Sequence, residues 1–214
     1  MKMVQKGLRR FAFLLIGFLS PQLFAQDSHP GFAESASLSL DGNFRSGLHE
    51  ATVGGGFEMT CITGTGRPIV NYAMGYADAG YFLYDVLGSG FFRGNAEVLL
   101  EGFGSSIYES TSAGGNYIAG ASLYLRYNFV PKGWRLIPYI EGGAGLTSMD
   151  INHNYDGMNF NFNLDLGAGA RFLVTHSCSI NLEGLFQHIS NADLGAHNIG
   201  LNSLGPRLSV SFFF

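Results

Sequence analysis

From Phe160 to Phe172 the side chains change character at every step. Phe160, Phe162, Leu164, Leu166, Ala168, Ala170 and Phe172 alternate with Asn161, Asn163, Asp165, Gly167, Gly169 and Arg171. Successive side chains of a strand point to opposite faces, so a period of two gives one greasy face and one polar or small face. The pattern recurs along the chain. Tyr117, Ala119, Ala121, Leu123, Leu125, Tyr127 and Phe129 oppose Asn116, Ser122, Tyr124, Arg126 and Asn128. Leu204, Pro206, Leu208, Val210, Phe212 and Phe214 oppose Arg207, Ser209 and Ser211. Within 136–146 the even positions are apolar or Gly, and Arg135, Tyr139 and Glu141 lie on the other face. Glu97 and Glu101 likewise face away from Val98 and Leu100.

A soluble sandwich also alternates, but these stretches have the length that a tilted strand needs to cross hydrocarbon. Their charges sit mid-strand and carry both signs: Glu97, Glu101, Glu141, Asp165 and Glu183 against Arg126, Arg171 and Arg207. A small membrane barrel encloses such groups, whereas a sandwich core does not. The chain also ends on Phe214, a terminal aromatic of the kind common in bacterial outer-membrane barrels. The expected fold is all-β, an eight-stranded antiparallel transmembrane outer-membrane β-barrel. Its strands are expected at about 50–61, 71–84, 92–107, 115–128, 135–149, 159–174, 177–190 and 202–214. The first two are the least sharply marked, because Gly54-Gly55-Gly56 blurs the alternation.

The amino end reads as an export signal. Lys2, Lys6, Arg9 and Arg10 make a basic start, Phe11 to Leu19 is an apolar run too short to span a bilayer, and Leu23-Phe24-Ala25 ends in a small residue. Residues 1–25 are therefore expected to be a signal peptide, 26–49 a periplasmic amino-terminal segment and 50–214 the barrel, located in the cell outer membrane. No cysteine follows the expected cut, which argues against a lipid-anchored terminus. The formal net charge of −4 gives no reason to expect a nucleic-acid partner.

Both ends of an even-stranded barrel lie on the periplasmic side. Connections near 85–91, 129–134 and 175–176 are then periplasmic turns, and those near 62–70, 108–114, 150–158 and 191–201 are outer loops. Cys61 falls near the outer rim and Cys178 near the periplasmic rim, a membrane thickness apart and beyond disulfide reach. Two free thiols without a chemical role are expected.

The last outward strand carries the chemistry. On it Ile180, Leu182, Gly184 and Phe186 share the lipid-facing parity with His188 and Ser190, and Asn202 on the next strand has that parity too. Polar groups against lipid are costly and are functional suspects. A hydroxyl beside an imidazole is the minimal activated nucleophile: His188 would take the proton as Ser190 attacks an acyl carbonyl. Asn202 could orient the ring through its amide oxygen, though it lacks a carboxylate's charge. Asn191, next to Ser190, could donate to an oxyanion. Polar residues are also ordinary at the headgroup boundary, so His-x-Ser alone is too short to be specific.

The run His188-Ile189-Ser190-Asn191-Ala192, followed by Asn198-Ile199-Gly200-Leu201-Asn202, resembles the carboxy-terminal signature of the lipid A 3-O-deacylase (PagL-like) outer-membrane family. The similarity extends through Pro138 to Gly145 and Leu166 to Arg171, covers most of 92–214, and is weak before that. The resemblance implies His188 as base, Ser190 as nucleophile, Asn191 at the oxyanion hole, lipid A in lipopolysaccharide as substrate, and no metal or other cofactor. In the best-known members a Glu stands where Asn202 stands here. That departure implies slower turnover, another acid such as Asp193, or lost activity.

Two readings follow. One is an outer-membrane serine esterase that removes an ester-linked acyl chain from lipid A. The other is a catalytically weak or inactive structural or surface-interaction barrel. A homodimer that shields the lipid-facing pair is left open. His153 and Asp150 read as solvated loop residues, His176 and His197 as turn or loop residues with His197 near the site, and Trp134 as an interfacial anchor.

Overall fold

The computed structural model describes residues 44–61 and 67–214. The expected signal peptide and most of the expected amino-terminal segment lie outside these residues. Eight strands form a closed antiparallel barrel in sequential order: β1 (His49–Thr60), β2 (Val70–Phe82), β3 (Gly94–Ser110), β4 (Tyr117–Phe129), β5 (Leu136–Met149), β6 (Phe160–Leu173), β7 (Cys178–Ser190) and β8 (Leu201–Phe213). Closure is made by β1 on β8, with Glu50 opposite Phe213 and Thr60 opposite Ser203. A closed barrel leaves no sheet edge, which is what permits strands to sit in hydrocarbon.

The parity read from the sequence holds around the barrel. Leu164, Leu166, Leu182, Leu204 and Leu208 are all at least half exposed, and Leu166 reaches 65%. The opposite face is buried and polar. Arg171 lies between Glu50 (2.8 Å) and Glu97 (3.3 Å), and Arg126 binds Glu141 through Nε at 2.6 Å. Arg207 bonds Glu101, reaches Glu183 at 3.5 Å, and lies over the Tyr76 ring at 3.5 Å from its centroid. Tyr124 donates to Asp165, and Asn163 links Ser122 to the same carboxylate. The lumen is therefore filled by side chains, as eight strands require.

The glycines that blur the β1 alternation have a packing reason. Gly54 and Gly56 stand on the inner face, where a Cβ at Gly54 would meet the Tyr76 ring and one at Gly56 would meet Arg207 Cγ at 2.9 Å. Their missing side chains make the space in which Arg207 stacks on Tyr76.

The end carrying both barrel termini is the periplasmic one in bacterial barrels. Its connections are 83–93, 130–135 and 174–177; the first is longer than expected and holds a short 3-10 turn at Gly90–Phe92. Phe44, just before β1, packs into this mouth against Phe82 and Phe213 with ring centroids 5.7 and 6.4 Å away. Trp134 is exposed at the 130–135 turn, consistent with an interfacial anchor. The outer connections are 61–69, 111–116, 150–159 and 191–200, the third containing a single helical turn, α1 (His153–Asp156). Cys61 and Cys178 are free thiols at opposite ends of the barrel.

Removing Arg171 takes the closer cation from Glu50 and Glu97, which keep only Arg126 at 3.6 and 3.8 Å. Arg171→Met should cost about 3–5 kcal/mol, read as a lower urea midpoint for loss of the heat-modifiable folded band. Lys132→Met, on an exposed turn, should move that midpoint by under about 0.5 kcal/mol. Equal midpoints for the two variants would show that the lumen network does not hold the barrel.

Candidate functional site

β7 and β8 are in register, and His188 stands directly opposite Asn202. Both project from the outer face near the outer ends of their strands, as the parity requires. His188 Nδ1 and Asn202 Oδ1 are 2.7 Å apart. An amide oxygen accepts only, so the imidazole Nδ1 is the donor, and in the neutral ring this leaves the lone pair on Nε2. Ser190 is two residues further on the same face of β7, opposite Phe162 of β6. All three are half-buried, while Leu182 lower on the same face is 62% exposed. The covering comes from chain that follows the strand. Gly200, with φ of +65°, lies against the imidazole so closely that a Cβ there would be 3.1 Å from His188 Cε1. Sequence reasoning gave Gly200 no role. The available signal was a glycine just before the strand that carries Asn202.

Asn191 is placed differently from the expectation. It continues the inward parity of β7 and is fully buried. Its amide Nδ2 donates to the carbonyls of Asp156 and His197, the latter at 2.7 Å. The amide expected to face an oxyanion is thus committed to two backbone acceptors beneath the loop. Its physical role in this geometry is to pin the chain just after Ser190 to α1 and to the returning loop. Ile199 N–H also donates to the Tyr155 carbonyl at 3.2 Å, and Gly157 lies so close to the His197 backbone that a Cβ would collide. Burial pushes the Asp156 carboxyl up, and the hydrogen bond from Asn161 only partly offsets this.

The 191–200 loop is also fastened to itself. Ala192 and Asp193 both adopt left-handed backbone (φ 52° and 62°), turning the chain sharply after Ser190. Asn198 Oδ1 accepts from Asn191 N–H at 3.3 Å, and Asn198 Nδ2 donates to Asp193 Oδ1 at 2.9 Å. Asp193, considered as a substitute acid, is therefore a loop fastener whose carboxylate faces Asn198; Asn202 is the group on the imidazole. Asp150 and His153 also hold loops. Asp150 accepts from the Asn116 side chain and from the Asn116 and Tyr117 N–H groups. Partial burial raises its carboxyl, yet these donors outweigh it and leave it below the ordinary value. His153 Nε2 lies 2.7 Å from Asn159 Oδ1.

Beside Ser190 the barrel surface is aromatic and aliphatic. Phe160 and Phe162 meet edge to face at 5.3 Å, and Leu164 is opposite His188. A nucleophile-type hydroxyl, an imidazole held in one tautomer and an apolar surface therefore share one side of the outer rim. That arrangement suits attack on an ester whose acyl chain lies in the membrane.

Solved structures similar in shape include outer-membrane barrels. The outer-membrane enzyme PagL shares 17% identity over 75% of this chain and 97% of its own, with a TM-score of 0.49. Neisserial surface protein A (NspA) shares 13% over 79% and 98%, with a TM-score of 0.54. The outer membrane protein OprG from Pseudomonas aeruginosa shares 11% over 81% and 98%, with a TM-score of 0.51. At these identities the likeness of NspA and OprG shows the fold alone. No curated protein sequence matches the chain. The family described as lipid A 3-O-deacylase (PagL) matches residues 92–211, more than half of the chain and the whole span from β3 almost to the end of β8. This outer-membrane β-barrel belongs to the lipid A 3-O-deacylase (PagL) family.

Proposed function

We propose that this protein is a serine esterase that hydrolyses an ester-linked acyl chain, the 3-O chain, of lipid A in the outer leaflet. The observation that carries the reading is the 2.7 Å contact of His188 Nδ1 with Asn202 Oδ1 on the lipid-facing side of the barrel, with Ser190 on the same strand face. Family membership supplies the substrate class.

The chemistry follows from the tautomer. His188 Nε2 takes the proton as Ser190 Oγ attacks the ester carbonyl carbon, and a tetrahedral intermediate forms. The imidazolium returns that proton to the departing sugar oxygen as the C–O bond breaks. Water, deprotonated by His188, then releases the fatty acid from Ser190. Asn202 keeps the ring in the productive tautomer throughout. The acyl chain lies along Phe160, Phe162 and Leu164, where the ester reaches Ser190 without leaving the leaflet. All of these groups come from one chain, so the proposal needs no second subunit.

Asn191 and Gly200 enter as positioning residues. The first fixes the turn after the nucleophile, and the second presses the backbone on the imidazole.

A second reading rests on Asn202. A neutral amide does not offset the imidazolium's charge, so the barrel could be a weakened relative that acts by surface interaction.

Three outcomes test these assignments. Lipid A from cells expressing the wild type should lose one hydroxyacyl chain by mass spectrometry, and cells expressing Ser190→Ala should not. Identical spectra from two properly folded barrels would remove the esterase reading. Asn202→Glu should raise kcat by about tenfold or more if charge is what the site lacks; an unchanged or lower kcat would place the limit elsewhere. Asn191→Ala unpairs the buried Asp156 carbonyl and the part-buried His197 carbonyl at a local cost of about 1–3 kcal/mol. It and Gly200→Ala should both depress kcat while the heat-modifiable barrel persists. Wild-type turnover in both would show that the loop does not position the pair.

A further inference from the structure

The cations of this chain are distributed unevenly. Arg126, Arg171 and Arg207 are buried in the lumen. Arg45, Arg93, Lys132 and Arg135 belong to the end carrying the barrel termini. Across the four outer connections, 61–69, 111–116, 150–159 and 191–200, the sequence places a single Lys or Arg, Arg67. The remaining formal charges of these connections and the strand ends beside them are acidic: Glu109, Asp150, Asp156 and Asp193.

Arg67 is exposed, and among the described residues its guanidinium has no hydrogen-bond or ion-pair partner. It lines a small cavity at the outer rim together with Thr60, Cys61, Asp156, Gly200 and Asn202. Two members of that wall, Gly200 and Asn202, are the groups that touch His188. Asp156 is the carboxylate in that wall, but it is buried and its Oδ2 accepts from Asn161. The seam brings the cavity close: Cys61 N–H donates to the Asn202 carbonyl at 2.9 Å, so the end of β1 is one strand spacing from Asn202, about 4.8 Å.

We propose that Arg67 binds a phosphate monoester of the glycolipid substrate and so orients the sugar beside Ser190. The proposal rests on the deacylase reading above. Lipid A is a glucosamine disaccharide with phosphate esters, and its 3-O acyl ester shares a ring with the anomeric phosphate. A guanidinium fits a phosphate through paired N–H donors. One cation on a rim of acids also sets direction. A phosphate that approaches by Asp150, Glu109 or Asp193 meets like charge; by Arg67 it meets its partner, on the side where Asn202 and His188 stand.

The test uses the full barrel refolded in detergent and three substrates: bisphosphorylated lipid A, the same lipid A without its anomeric phosphate, and a neutral p-nitrophenyl ester. Arg67→Gln should lower kcat/KM on bisphosphorylated lipid A by about tenfold, as loss of one charge-assisted contact implies. It should leave the other two substrates unchanged, and Arg67→Lys should recover part of the loss. Binding is read separately by titrating bisphosphorylated lipid A into Ser190→Ala with and without Arg67→Gln. Weaker binding in the double variant supports the proposal even if the wild type cleaves nothing, a result that would remove the deacylase reading alone. Equal binding by the two, or an equal loss on substrates with and without the anomeric phosphate, overturns it.

Discussion

Hydrocarbon offers no hydrogen bonds, and this one constraint organises the molecule. Every peptide group of the membrane-crossing strands must find its partner on a neighbouring strand, so the sheet closes on itself through β1 and β8. Closure divides the side chains into two populations. Those facing out must be apolar. Those facing in share a lumen too narrow for bulk water and must satisfy one another, which Arg126, Arg171 and Arg207 do for Glu50, Glu97, Glu101, Glu141 and Glu183. The inversion of the soluble pattern is what makes the outer face informative. A polar group there has no neighbours to satisfy it unless the fold supplies them. At His188 the fold supplies Asn202 from across the strand and Gly200 from the chain that leads into β8.

Much of this was legible because a period of two is a rigid code. The strand bounds and the parity of β4 to β8 follow from it, and so does the convergence of His188, Ser190 and Asn202 on one face. The blurred stretch at Gly54 to Gly56 was illegible for a physical reason: there the inner face is occupied by Arg207 and Tyr76, which belong to other strands. Asn191 teaches the opposite lesson. Its odd position already marked it as inward, and the resemblance pointed to an outward role. The fold follows the parity. What no periodicity could give is the partner it finds inside, a carbonyl of α1 35 residues earlier in the chain. Loop-to-loop contacts of that kind carry no repeating pattern, and the fastening of Asp193 by Asn198 is equally irregular.

The amide at 202 can be understood in the same terms. A carboxylate there would support the imidazolium more strongly, since a full charge a few ångströms away is worth more than a dipole. It would also have to be held, ionised, on a half-buried face against lipid, with one imidazole as its partner. Desolvating an anion costs far more than desolvating an amide. In the proposed mechanism Asn202 does the part of the job that geometry alone can do, fixing the tautomer at 2.7 Å, and leaves out the part that needs charge. Cys-His-Asn enzymes make the same concession, with a nucleophile that is easier to ionise. With Ser190 as the proposed nucleophile the burden shifts to placement: the ring must already lie where the hydroxyl needs it. The turn at Ala192–Asp193, the clamp at Asn191 and the backbone pressed on the imidazole at Gly200 all act on placement, and none acts on charge.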